Sequence, residues 1–349
     1  MSLSKLPLPF YCSNCLAPYP MSYLPERCER CRGLLALQPN WEWLPSPAEN
    51  PTPLQVINVP AAPPSFSGGQ VWLKREDLQP AGSFLGRVAL PLVRLWQSQG
   101  VERVIGSVGA CLATAMAWAA KGSALQFEYY LADSAELSLL AQLDPTFNHF
   151  YDTLLRPSDA VEQAKLALRK AQRQGKSVTA LGYAERPLNL LSLSGIAAEI
   201  VQALGQSPAA VVAPCGQGIL LLGLALGFEQ LLRAGKISRV PAMFGVQAQN
   251  CAPLWAYWQQ GRDGMGWVHE GSTLASGVRV LQPVRGDAVL AAVQSSGGEM
   301  LAATELQIVQ GQTMLAKLGI AVTPTTALVW HGIRTVLQKQ WDGAVVAML

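Results

Sequence analysis

Apolar positions along the chain switch between two periods, and the switching predicts most of its elements. Val88, Leu90, Leu92, Val93, Leu95 and Trp96 recur at helical spacing, so a helix is expected to run to about Gln99 and stop at Gly100. Val104-Ile105 is a short apolar strand, Gly106 to Gly109 a glycine turn, and residues 110–120 a helix made almost wholly of small side chains. A strand, a glycine turn and a close-packing helix form the unit from which open parallel sheets are built. The pattern then repeats. A strand is expected at 127–132, an amphipathic helix at 158–174 with Ala160, Val161, Ala164, Leu168 and Ala171 on one face, a strand at 177–180, and a helix from Asn189 to about Leu204. Ala210 to Pro214 is a continuous apolar run, followed by a glycine turn and a helix reaching Gly235; strands at 243–248 and 344–349 complete the series. Residues 55–59 and 71–74 read as two short strands around a proline- and glycine-rich loop, and 35–70 otherwise as a linker with little regular structure. The expected fold class is α/β, with two doubly wound open-sheet domains.

The first forty residues stand outside that scheme. Cys12-x2-Cys15 and Cys28-x2-Cys31 are separated by twelve residues. Each CxxC turn presents two thiolates to one metal ion, and two turns complete a tetrahedral sulfur site. Twelve residues suffice for a short hairpin, so this segment is expected to be a small zinc ribbon with Cys12, Cys15, Cys28 and Cys31 as ligands. Four thiolates leave no open coordination position, which makes the zinc structural. The expected division is a ribbon and linker at 1–40, an N-terminal α/β domain at 41–185 and a C-terminal α/β domain at 186–349.

Composition narrows the function classes. A chain of 349 residues exceeds one compact core, and with half its residues apolar and 14% charged it is globular and core-rich. A net charge of +3 with three histidines is too weak a bias for nucleic acid or an anionic membrane as main partner. Arg156, Lys165, Arg169, Lys170 and Arg173 are expected to form a solvated helix face. The longest apolar run, Ile219 to Phe228, is broken by glycines and falls short of a membrane span. The N-terminus lacks the apolar core of a signal peptide, and seven cysteines, four of them in CxxC pairs, suit a reducing compartment, so a cytoplasmic protein is expected.

Two stretches carry candidate chemistry. Cys215-Gly216-Gln217-Gly218-Ile219 follows an apolar strand and opens a helix, so consecutive backbone N–H groups can hold a phosphate there without a charged side chain. The same glycines also suit tight strand-to-helix packing. The second stretch runs from Leu73 to Arg87 and contains Leu73-Lys74-Arg75-Glu76 and Gly82-Ser83-Phe84-Leu85-Gly86-Arg87. It resembles the cofactor-lysine segment, roughly LKxExxNPTGSFKDR, of the fold-type-II pyridoxal-phosphate (PLP) enzymes, above all the threonine synthase family. Further motifs similar to that family follow in its order: Pro51-Thr52-Pro53-Leu54, Gly106 to Ala110, Val211 to Gly218, Gly245-Val246-Gln247 with Cys251-Ala252-Pro253, Thr273 to Gly277, Pro283 to Gly286, and Gly319 to Ala327.

The resemblance implies a zinc ribbon with glycine usual after each CxxC, where this chain has Leu16 and Arg32, with Gly33 one place later. It also implies which groups have been replaced. Leu85 occupies the position of the Schiff-base lysine, Ala110 that of the asparagine bound to the cofactor's phenolic oxygen, and Ser276 and Thr323 stand where acidic residues are expected. The last strand, 344–349, ends before the family's pyridine-nitrogen ligand. Lys74 matches a family lysine that is not the catalytic one, and Lys121 lies at the far end of a helix. Cys111 and Cys251 are expected to be buried small hydrophobes.

These readings lead to an expectation of a catalytically inactive threonine-synthase-like protein without PLP, with Gly216, Gln217 and Gly218 as a vestigial phosphate loop. Its role would be binding, as a scaffold, assembly or regulatory subunit with a protein partner or as a homodimer. Trp255, Tyr257, Trp258 and Trp267 are candidate contact residues. Two alternatives remain open. One is an active threonine synthase or related PLP-dependent lyase. The other is an amino-acid or phosphate sensor taking a small anion or amino acid in the emptied cleft.

Overall fold

The computed structural model describes residues 9–38, 43–48, 51–59, 70–131, 150–152, 157–265, 268–339 and 341–349. It divides into two compact units. One comprises residues 1–43 and 85–192, the other 44–84 and 193–349. This differs from the linear division at 185. Residues 44–84 belong with the C-terminal half because the two strands they carry pair into its sheet.

The first unit contains the ribbon and a parallel sheet. Strand β1 (Phe10–Cys12) pairs antiparallel with β2 (Pro18–Tyr19) and with β3 (Leu35–Leu37), in the order β2-β1-β3. The expected hairpin therefore gains a third strand, formed by residues that read in the sequence as the start of a linker. Phe10, Tyr19, Leu24 and Leu35 make the ribbon's small core, which is completed by Leu95 and by the half-buried Leu188 and Leu191. After β4 (Leu54–Ile57) and β5 (Val71–Lys74) of the second unit, the chain returns in helix α1 (Leu85–Ser98), β6 (Arg103–Ser107), α2 (Ala110–Ala119) and β7 (Gln126–Leu131). Then come β8 (Phe150–Asp152), α3 (Pro157–Arg173) and β9 (Val178–Ala180). These strands form a sheet of order β8-β7-β6-β9, parallel throughout, as the strand–turn–helix pattern predicts.

Helix α4 (Pro187–Leu204) contains the division between the units, which falls after Ser192. Among the described residues it is the one helix long and apolar enough to cross a membrane, and 61% of it is buried in the fold, as suits a core helix.

The second unit continues through β10 (Ala210–Pro214), α5 (Ile219–Arg233), β11 (Ala242–Ala248), α6 (Pro253–Gln260) and the short α7 (Arg262–Met265). It ends with α8 (Gly286–Ser295), β12 (Glu299–Ala303), α9 (Glu305–Lys317), α10 (Pro324–Val336) and β13 (Val345–Met348). The sheet order is β12-β11-β10-β13-β5-β4, with every pair parallel except β4 with β5. Strand β11 alternates as a buried strand must: Phe244 and Val246 join the core with Leu328, Val329 and Ile333 of α10, while Gly245 turns toward Leu221 of α5. Helices thus cover both faces. The apolar pattern does not mark α8, α9 and β12. Two helix starts are nevertheless written locally, since Thr304 and Gln307 form a capping box at α9 and Thr323 caps α10 ahead of Pro324.

Candidate functional site

The ribbon's two knuckles are built on one hydrogen-bond pattern. Cys12 N donates to Ala17 O and Leu16 N to Cys12 O, both at 2.9 Å; Cys28 N donates to Gly33 O at 2.9 Å and Arg32 N to Cys28 O at 2.8 Å. Closing these turns puts Leu16 at φ 60° and Arg32 at φ 63°, the only non-glycine residues at positive φ among those described. Such a backbone costs an L-residue about 1–2 kcal/mol. Gly33 serves a different purpose. A Cβ there would lie 2.9 Å from Cys12 Sγ and 3.3 Å from Cys31 Sγ, so its missing side chain leaves room for the sulfurs.

The four sulfurs lie within 4.8 Å of one another, with Cys12 and Cys31 at 3.4 Å and Cys15 and Cys28 at 3.6 Å, and none is in a disulfide. A tetrahedral zinc–thiolate site has sulfur–sulfur edges of about 3.8 Å, so the cage and its donor set fit a closed structural metal ion. Backbone amides of Asn14 and Cys15 point at Cys12 Sγ at 3.4 and 3.5 Å. The Tyr19 hydroxyl donates to Cys28 Sγ at 3.2 Å and is the first cause pulling that thiol down to about 6.

Arg186 joins the ribbon to its unit. It is 1% exposed; Nη1 donates to Leu24 O in the ribbon, and Nη2 donates to Thr179 Oγ1 and Ala180 O at β9. The guanidinium sits 5.9 Å over the ring of the fully buried Trp96. Burial lowers the Arg186 pKa.

In the second unit the loop after β10 is held on three sides. Gly218 caps α5 at φ 75° and contributes no capping side chain, so no side chain satisfies the first amides of this fifteen-residue helix. A Cβ on Gly218 would lie 2.5 Å from Val289 Cγ2 of α8, and one on Gly216 would lie 3.0 Å from Gly277 O. Gln217 Oε1 accepts from Val284 N at 3.0 Å, and Gly277 N donates to Thr325 Oγ1 at 3.1 Å. The structure therefore brings the loop together with the 273–277 and 283–286 segments and the start of α10. Ser276 opens a short turn and Thr323 caps α10 by accepting from Thr326 N. Behind the loop lies Gln247, fully buried in β11. Its Nε2 donates to Cys215 O at 3.1 Å, and its Oε1 accepts from Leu254 N and Trp255 N at 2.9 and 3.0 Å. One side chain thus sets both the loop and the start of α6. Burial pushes the Cys215 thiol up to about 12, so it is inert.

Lys74, at the end of β5, is 1% exposed and fully engaged. Its three N–H bonds are met by Thr52 O at 2.6 Å, Thr52 Oγ1 and Glu199 Oε2 at 2.5 Å, with Glu76 Oε1 at 3.5 Å. Thr52 Oγ1 donates on to Glu76 Oε1 at 2.6 Å, and Ala48 N donates to Glu199 Oε1 at 3.1 Å. Removing one partner from a buried network of this kind costs about 3–5 kcal/mol. Lys74 is a structural tie between the 48–52 segment, β5 and α4, with no free amine to offer a carbonyl.

Leu85 and Ala110 lie in the other unit, as the first residues of α1 and α2. Two expectations are corrected. Cys111 is exposed rather than buried, because the second position of α2 faces outward, whereas Cys251 is buried as expected. Trp255, Tyr257 and Trp258 are half-buried on α6 rather than fully exposed, since the apolar side of that helix packs inward; Trp267 lies outside the described residues. Trp255 does line an open groove of about 650 Å³ with Gln249, Asn250, Gln259, Gln260 and His269.

Comparison with known proteins fits this architecture. Residues 45–349 match the family model described as pyridoxal-phosphate dependent enzyme. The chain belongs to that family. It is 28% identical over 275 residues to the threonine synthase of Methanocaldococcus jannaschii, covering 77% of this chain and 66% of the relative. It is 27% identical over 279 residues to that of Synechocystis sp., covering 79% and 69%. Among solved structures, the processed form of threonine deaminase isoform 2 from Solanum lycopersicum superposes with a TM-score of 0.66 at 18% identity, covering 85% of this chain and 78% of that one. The O-acetylserine dependent cystathionine beta-synthase of Helicobacter pylori gives 0.68 at 17%, covering 86% and 92%. At such identities the structures establish the shared fold. The family match begins after the ribbon, so the metal cage stands on its own geometry.

PLP fits these residues only in part. The uncapped start of α5 suits its phosphate, whereas the carbonyl end needs an amine that the second unit's buried lysine cannot supply.

Proposed function

We propose that this family member is a threonine-synthase-like pseudoenzyme that acts by binding, as a scaffold, assembly or regulatory subunit working with a protein partner or as a homodimer. The observation that carries the reading is the engagement of Lys74. With Leu85 at the position the family resemblance assigns to the Schiff-base lysine, Lys74 is the nearest substitute along the chain, and all three of its N–H bonds are taken. Covalent PLP chemistry needs an amine to hold and exchange the cofactor and a base to move substrate protons. Replacement of the family's polar and acidic groups by Ala110, Ser276 and Thr323 supports the same reading. A cytoplasmic location and a structural zinc complete the proposal.

The uncapped start of α5 favours a second reading, a sensor in which Gly216 to Gly218 bind a phosphate-bearing small molecule or phosphate itself.

Visible absorbance of the purified chain, before and after PLP and borohydride, tests the first reading. The expected outcome is no borohydride-fixed cofactor and no turnover of phosphohomoserine, and Leu85→Lys alone restores neither. A stoichiometric reduced adduct with turnover sinks the proposal. A saturable thermal shift with phosphate and no adduct moves the reading to the sensor.

A further inference from the structure

Beside the four sulfurs stands one hydroxyl that the cysteine pattern does not account for. Tyr19, 6% exposed on β2, pairs with Phe10 of β1 and belongs to the ribbon's core. Its oxygen accepts the amide hydrogen of Glu29 at 3.0 Å and lies 3.2 Å from Cys28 Sγ. A phenol has a single hydrogen, and with the Glu29 amide occupying an acceptor site that hydrogen is directed at the sulfur. The knuckles are otherwise matched, since each closes on itself through the same pair of backbone bonds. Among the described hydrogen bonds, Cys12 Sγ receives backbone amides and no hydroxyl.

We propose that Tyr19 is a positioning residue of the metal centre: it ties the second knuckle to the first hairpin and holds Cys28 Sγ where the ion requires it. The inference rests on the reading of Cys12, Cys15, Cys28 and Cys31 as zinc ligands. Its physical basis is twofold. The first knuckle is the turn of the β1–β2 hairpin and is placed by strand pairing, whereas the second lies in the longer stretch between β2 and β3. The bonds from Glu29 N to Tyr19 and from Tyr19 to Cys28 register that knuckle against the hairpin before an ion arrives. In addition, four thiolates around a divalent ion carry excess negative charge, and an O–H donor fixed on one sulfur offsets part of it.

The test uses the full chain with Tyr19→Phe, which keeps the buried ring and removes only the hydroxyl. Zinc affinity is read by competition with a chromophoric chelator, and the thiolate-to-metal charge-transfer band is read with Co(II) in place of zinc. The expected result is a zinc affinity about 10–100-fold weaker and a shifted cobalt band, with the melting curve of the metal-saturated variant close to that of the wild type. Tyr23→Phe is the control. Its hydroxyl binds the Glu29 carboxylate at 2.5 Å on the exposed side, and its removal leaves affinity and band unchanged. An affinity within about two-fold of the wild type and an identical band overturn the role of Tyr19 while leaving the metal site standing. A wild-type chain that gives no four-sulfur cobalt spectrum overturns the metal reading and the inference with it.

Discussion

In the ribbon all four donor side chains are present, while the two left-handed positions are filled by Leu16 and Arg32 in place of glycine. In the loop after β10 the arrangement is reversed. Gly216 and Gly218 remain, and around them stand Gln217, satisfied by Val284 N, and Thr325, satisfied by Gly277 N. A metal cage depends on its side chains, and backbone strain of about 1–2 kcal/mol at a knuckle is small beside the binding energy of the ion. Glycines at a strand–helix junction answer to a different demand. A Cβ on Gly218 would collide with Val289 Cγ2 at 2.5 Å and one on Gly216 would press on Gly277 O at 3.0 Å, whether or not a phosphate is bound. Retained glycines are therefore weak testimony for retained chemistry, and a retained donor set is strong testimony.

The largest expected effect follows from the proposed structural zinc and its removal. Ion binding in small cysteine modules contributes on the order of 10 kcal/mol to folding, and the ribbon's own core is only a handful of side chains. With the ion chelated, the ribbon is expected to unfold, Arg186 loses Leu24 O, and the cover over Trp96 opens. Tryptophan emission should shift to the red by a component that Trp96→Phe abolishes, and the melt should fall to a lower temperature until zinc is added back. Emission and melt unchanged by chelator would break the claim that the ribbon depends on its donors.

Much of this contrast was legible in the residues themselves. Paired CxxC motifs point to the four sulfurs that the fold gathers within 4.8 Å, and apolar runs such as Ala210 to Pro214 announce buried strands because nothing polar interrupts them. A glycine's purpose is harder to read. Gly33 looks like a displaced left-handed glycine, yet it is needed as a gap beside Cys12 Sγ and Cys31 Sγ. Arg186 and Glu199 gave no local sign, because their partners Leu24 and Lys74 are more than a hundred residues away. Gln247 did leave one: a lone amide in the run Ala-Met-Phe-Gly-Val-Gln-Ala has to find hydrogen bonds inside the core. The linear domain boundary failed because β4 and β5 pair into one sheet with β13, the last strand of the chain.

Gly218→Ala tests the other half of the comparison, with an intermediate effect. The substitution places an L-residue at φ 75° and a methyl group 2.5 Å from Val289 Cγ2. Backbone strain and overpacking together should cost about 2–5 kcal/mol, read as a lower denaturation midpoint with an unchanged denaturant slope. A variant as stable as the wild type that has lost a measurable phosphate affinity would show that the glycine serves a ligand and not packing.

The smallest effect has the opposite sign. Leu16 is 70% exposed, so exchanging it for glycine gives up little buried surface. Leu16→Gly removes left-handed strain of about 1–2 kcal/mol and adds about 0.5–1 kcal/mol of unfolded-state entropy, leaving a net gain of about 0–1.5 kcal/mol. The gain should appear as a slightly higher melting temperature of the metal-saturated chain. It should also leave the cobalt spectrum unchanged, because the hydrogen bond from residue 16 N to Cys12 O does not involve its side chain. A loss of stability on Leu16→Gly would mean that the exposed side chain is covered by something in solution, and the knuckle tip would then be a contact surface instead of a tolerated irregularity.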